Sequence, residues 1–185
     1  MIIKEIPNFP NYVMYEDGNV QNIKTKNFLK MDKKFCYALV NCGKVKRFSI
    51  KTLYKLVFNK NFCYDYIEKI NDDEVFKDIP GTKGLFQISN YARVKSLKGI
   101  YAKILKSFVT TKGYCRIEIE YNGERKKKFV HVLVAETFLE KPQGINIQVH
   151  HKNFNSQDNR LENLEYLGAI DHLRKHNERR AKENE

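Results

Sequence analysis

A chain of 185 residues with 42% apolar residues, among them Phe 12 and Tyr 11, has room for one ordinary domain or two small ones and excludes wholesale disorder. Lys and Arg number 34 against 22 Asp and Glu, and the resulting charge of +12 favours a polyanionic partner such as nucleic acid. No apolar run is long enough to cross a bilayer and the opening MIIKEIPNFPNY lacks the layout of a signal peptide, so a cytoplasmic protein without membrane contact is expected. Cys36, Cys42, Cys63 and Cys115 never form a CxxC pair, which argues against a zinc ribbon or a disulfide framework.

The chain contains an internal repeat. KEIP at residues 4–7 returns as KDIP at residues 77–80. Tyr12-Val13-Met14 with Gly18-Asn19-Val20 then lines up with Phe86-Gln87-Ile88 and Ala92-Arg93-Val94, and FLK at Phe28 with ILK at Ile104. A Tyr opens a strand in each copy (Tyr37, Tyr114), a Gly marks a turn (Gly43, Gly123), and Ile50, Leu53 and Phe58 match Val130, Leu133 and Phe138. Alternating runs such as YVMY, FQIS and YCRIEIEY predict strands, and Asn122-Gly123 predicts a hairpin turn. IKTLYKLVF and VHVLVAETF, apolar at three- and four-residue steps, predict one helix per copy. Each copy therefore reads as a small antiparallel sheet plus a helix. Residues 1–62 form the first module, residues 63–74 a connector, and residues 75–142 the second module.

Residues 143–185 have no counterpart in the first copy. A strand is expected over 145–151, and the turn-forming run Asn155-Ser156-Gln157-Asp158-Asn159 follows it. A second short strand is expected over 163–167, and after Gly168 a charged helix from about Ala169 to the C-terminus. The fold class is α+β: two repeated sheet-plus-helix modules followed by strand, loop, strand and helix.

Four of the five histidines fall in this last segment. His172 and His176 share one helix face at an i, i+4 spacing and can approach a single ion. His150 and His151 are neighbours on a strand and point to opposite faces, so one can complete a metal site while the other meets a water molecule. Phosphodiester hydrolysis needs that pair of roles, a base working near neutrality and a cation at the phosphate. Imidazole serves in both. A solvated basic face is the plainer reading of HxxxH alone. The paired histidines and Asn163 shift the balance toward chemistry, whereas His131, at the start of an apolar helix, reads as structural.

VHHKNFNSQDNRLENLEYLGAIDHLRKH resembles the motif of HNH (ββα-metal) endonucleases, and FVHVLVAETFLEKPQ is similar to the segment that leads into it in phage and intron-encoded homing enzymes. The repeats resemble the NUMOD-type DNA-binding modules found beside those nucleases, on Phe86-Gln87-Ile88-Ser89-Asn90 and Arg93-Val94-Lys95-Ser96; in the first copy Tyr15-Glu16 replaces Ser-Asn. The resemblance implies that His151 is the general base, that Asn163 holds its loop in place and that His172 is a metal ligand. Homing enzymes of this kind usually carry Asp where His150 stands and Asn where His172 stands. The all-histidine set His150, His172 and His176 looks instead like that of colicin-type nucleases. One divalent ion is therefore expected (Zn, Ni, Mn or Mg), with a transition ion favoured by three imidazoles.

The implied partner is double-stranded DNA. Arg93, Lys95, Lys112, Arg116, Arg125, Lys126, Lys127, Lys128 and Arg160 are the expected phosphate-facing residues, since a two-stranded ribbon can enter a major groove. The residues also allow two other readings. One is a catalytically silent DNA-binding protein that keeps the HNH fold around a structural metal; the other is an RNA-cleaving toxin. An intact His151 and Asn163 weigh against the first, and two DNA-binding-type modules against the second.

Overall fold

In a computed structural model that describes residues 2–183, the chain divides into two compact units. The first is Met1–Asp65 with Gly99–Tyr101, and the second is Tyr66–Lys98 with Ala102–Glu185.

In the first unit β1 (Ile3–Ile6), β2 (Phe9–Tyr15) and β3 (Val20–Asn22) form an antiparallel sheet in that order. A hairpin of β4 (Cys36–Asn41) and β5 (Lys44–Ser49) runs directly into α1 (Ile50–Phe58). Ser49 caps that helix, its hydroxyl accepting from the Thr52 amide, so one residue ends the strand and begins the helix. Met14, Val20, Leu39, Ile50 and Leu53 are fully buried at the centre of this unit.

The second unit repeats the plan. The sheet is now four-stranded, β6 (Phe76–Asp78), β7 (Phe86–Ser89), β8 (Val94–Ser96) and β9 (Lys103–Leu105). A second sheet holds β10 (Phe108–Val109), β11 (Cys115–Tyr121) and β12 (Glu124–Phe129), and β12 leads into α2 (Val130–Phe138). The matched FLK and ILK differ in outcome: Ile104 and Leu105 lie in β9, while Phe28 pairs through an isolated bridge to Gln21. Both hairpins turn through two residues of positive φ, Cys42-Gly43 in one and Asn122-Gly123 in the other, as the twist of a two-residue hairpin requires. Along β11 the buried Cys115, Ile117 and Ile119 alternate with outward residues, and they join Leu133 and Val134 of α2 in the second core.

The segment without a repeat counterpart packs on this second core. Strands β13 (Ile147–His151) and β14 (Leu164–Gly168) pair antiparallel, and α3 (Ala169–Glu183) follows. Leu164 is buried in the core, with Val149 and Leu161 packed against it. The Leu161 amide also donates to the Asn90 carbonyl of the second module at 2.8 Å. The strand expected over 163–167 is shifted by one residue. Asn163 instead closes a 3-10 turn (Leu161–Asn163), because its side chain bonds the preceding loop. The expected helix is observed to Glu183, and its last two residues lie outside the described residues.

Leu164, opposite His151 in the register, ties the strand pair to the core. Leu164→Ala should cost about 2–5 kcal/mol, read as a lower denaturant midpoint with an unchanged slope.

Candidate active site

The pleat of β13 sends its last two side chains to opposite faces. On one face the His150 ring lies 5.1 Å from that of His172 and 5.5 Å from that of His176, which are themselves 4.7 Å apart, one turn along α3. One nitrogen from each comes within 4.8 Å of the others. Two nitrogens bound at about 2.1 Å can be at most about 4.2 Å apart, so small ring rotations would close the set on an ion. His150 is 1% exposed, and its Nε2 has no hydrogen-bond partner among the described residues. Burial, aided by neighbouring His172, pushes its pKa down to about 4, which leaves the ring neutral with a lone pair to give. Burial also lowers His176, again with His172 beside it. Phe154 closes this side, its ring 5.0 Å from His150 and 5.1 Å from His176.

On the other face His151 meets His131, ring to ring at 5.0 Å, and Tyr114 at 6.3 Å. Its Nε2 lies 3.1 Å from Asn159 Oδ1. His131 is buried, and burial with nearby His151 pushes its pKa down to about 4. The two faces still meet at the strand end. His150, His151, His172 and His176 line one small cavity of about 40 Å³ with Tyr114, Val149, Phe154 and Ser156. That is space for an ion and a water or two.

Asn163 pins the connecting loop at three points. Its amide donates to Asn153 Oδ1 at 2.9 Å and to the Asp158 carbonyl at 2.7 Å, and its Oδ1 accepts from the Asn153 amide at 3.0 Å. Ser156 ties the same loop to the second module through the Gly113 carbonyl at 3.0 Å.

The basic residues differ in their surroundings. Arg125, Lys126 and Lys127 stand exposed on β12, and Lys112 is exposed beside the β10–β11 turn. Lys128 lies over the Tyr121 ring and Arg116 over Phe129. Arg93 and Lys95 are turned inward: Arg93 bonds the buried Glu74 at 2.8 Å, and Lys95 is 5% exposed with its ammonium 4.0 Å from the Phe76 ring centre. Arg160 is held by Asp158 and Glu162, and its hydrogen bonds keep the Asp158 carboxyl below the usual carboxylate range. Reading by sequence missed Asn153, Asn159, Phe154 and Tyr114. The Asn-rich turn was visible, but not the contacts its members make across the loop.

This second unit joins a small antiparallel module to a ββα motif with the histidine pattern of HNH nucleases. Comparison with known proteins bears on the fold and the module. Residues 74–120 match the NUMOD4 motif. DNA endonuclease I-HmuI of Bacillus phage SP01 is 37% identical over 92 residues, 50% of this chain and 51% of that protein. Uncharacterized HNH endonuclease L245 of Acanthamoeba polyphaga mimivirus is 36% identical over 81 residues, 44% of this chain and 23% of that protein. The solved structure titled "DNA binding and cleavage by the HNH homing endonuclease I-HmuI" superposes with a TM-score of 0.51 at 34% identity, covering 57% of this chain and 59% of that one. The chain thus carries a NUMOD4 motif, is similar to HNH homing endonucleases, and spans about half the length of the phage relative. No helix among the described residues is long and apolar enough to cross a membrane.

His131 binds a proton less readily folded than unfolded, so the stability it contributes is complete above the ordinary imidazole pKa near 6.5. It is lost as pH falls from there toward about 4. Thermal unfolding in a chelating buffer should show a melting temperature that drops across this window, and less steeply in His131→Leu. A drop of equal size in the variant would contradict the assignment.

Proposed function

We propose that this chain is a metal-dependent DNA endonuclease of the HNH type that binds duplex DNA and hydrolyses its phosphodiester bonds. The observation that carries the reading is the shared cavity, in which His151 stands beside the three-histidine set. The likeness to I-HmuI and the NUMOD4 match support DNA as the substrate.

The residues present fit a divalent ion: three imidazoles converge, and the buried Nε2 of His150 is otherwise unpartnered among the described residues. His150, His172 and His176 would hold it, and when bound it supplies positive charge for the phosphorane and the departing oxygen. Three nitrogen donors without a carboxylate suit zinc, nickel or manganese better than magnesium. His151 takes a proton from water as the water oxygen bonds to phosphorus; the P–O3′ bond then breaks, the 3′-oxygen takes a proton from solvent water, and His151 returns its own to solvent. Asn163 keeps the loop between the strands in the shape that leaves His151 in place.

DNA contact is assigned to the exposed Lys112, Arg125, Lys126 and Lys127, with Arg116 and Lys128 beside them. The surface pairs Arg125–Glu118 and Lys126–Glu124 are weak enough to exchange for phosphate. Arg93 and Lys95, turned inward, shape this surface rather than touch the duplex, whereas Arg160, half-exposed in its surface pairs with Asp158 and Glu162, joins the phosphate contacts. Residues 1–62 serve as a binding module without chemistry, residues 63–74 as connector, 75–142 as the second module and 143–185 as the nuclease motif. The site of action is the host cytoplasm, as for a phage or mobile-element protein, a reading supported by the viral relatives.

Incubation with supercoiled plasmid and manganese should yield open-circular DNA, and His151→Ala should abolish this while DNA affinity and zinc content stay near wild type. Parallel loss of zinc and activity would mean that the two adjacent histidines are assigned in the wrong order. Calorimetry should show wild type binding zinc more tightly than magnesium, and His176→Ala weakening zinc by at least tenfold. Unchanged zinc binding in that variant would remove His176 from the set.

A further inference from the structure

We infer that Asn159 is a positioning residue that fixes which nitrogen of His151 acts as the base. The inference rests on the assignment of His151 above and adds the group that orients it. Asn159 is 5% exposed, in the loop between β13 and β14. Its Nδ2 donates to the Gln157 carbonyl at 3.0 Å. A carbonyl can only accept, so this bond sets the amide's orientation and turns Oδ1 toward His151. The distance from Oδ1 to His151 Nε2 is 3.1 Å. An amide oxygen likewise only accepts, so Nε2 must carry the hydrogen. A neutral imidazole holds one hydrogen, and the lone pair is therefore on Nδ1.

The loop keeps this amide from turning away. The Gln157 amide is bonded to Asn155 Oδ1 at 3.1 Å, and the Asp158 carbonyl accepts from Asn163 at 2.7 Å, so the backbone is held on both sides of Asn159. The His131 ring packs edge-on against the imidazole, its centre 5.0 Å away. The arrangement follows the general logic of an oriented base. One ring nitrogen is tied to a fixed acceptor and the other is left for the proton of water; the acceptor then stabilises the imidazolium as the proton arrives.

The test compares Asn159→Leu with Asn159→Asp in single-turnover cleavage of supercoiled plasmid with manganese. Both variants lose the donor bond to Gln157, and only Asp keeps an oxygen for Nε2–H. Asn159→Leu should cut on the order of 10 to 100-fold more slowly with DNA affinity and zinc binding unchanged, and Asn159→Asp should recover at least tenfold of that loss. Nitrogen-15 spectra of the wild-type protein should show His151 protonated at Nε2. Wild-type rate in Asn159→Leu, equal loss in both variants, or a His151 protonated at Nδ1 would each overturn the inference, the last even if Asn159→Leu fails to fold. Full cleavage by His151→Ala would overturn the base assignment together with this one, whereas an active Asn159→Leu overturns this one alone.

Discussion

The site depends on the two-residue alternation of a β-strand. At the end of β13 the chain places two histidines in succession, and the pleat gives each its own face. His150 turns toward α3 and joins His172 and His176, whereas His151 turns toward His131 and Tyr114. Two identical side chains thus acquire different surroundings without any difference in chemistry between them. One is a buried ring, its Nε2 without a hydrogen-bond partner among the described residues, that clusters with two other imidazoles, and the other is tied by one nitrogen to an amide oxygen. A shift of the strand by one residue would exchange them. Register is therefore what the surrounding structure has to protect.

The protection comes from within the motif and from the second module together. Leu164, opposite His151 in the register, is buried in the core that α2 and β11 of the second module build. Asn163 joins the 3-10 turn to the loop, Ser156 anchors the loop to Gly113, and Leu161 bonds the backbone of Asn90. Asn90 belongs to the segment matched by the NUMOD4 motif, and its side chain also bonds Val75 and Asp73. In this chain the module that resembles a DNA-binding element is also the platform on which the strand pair rests.

Much of this was legible in the sequence because periodicity and turn chemistry are local. IKTLYKLVF and VHVLVAETF form helices over the residues their apolar steps marked, and Asn122-Gly123 turns the hairpin it was expected to turn. The i, i+4 pair on the terminal helix and its meeting with His150 follow from two simple geometries, the helix face and the strand pleat. What was not legible depends on partners distant in sequence. Arg93 and Lys95 carry charge, which read as phosphate contact, yet a buried Glu74 and the Phe76 ring hold them inward. Asn163 had the spacing of a motif, but its place in a 3-10 turn reflects bonds to Asn153 and Asp158 that no period announces. Asn159 stood in a run already marked as turn-forming, and its bond to His151 appears only when the loop is folded.

If the strand divides metal holding from base catalysis, three imidazoles and not four belong to the ion. X-ray absorption on the zinc-loaded protein counts those ligands directly. Three imidazole nitrogens at about 2.0–2.1 Å are expected in wild type, still three in His151→Ala and two in His150→Ala. A count that falls in His151→Ala and stays at three in His150→Ala would contradict that division.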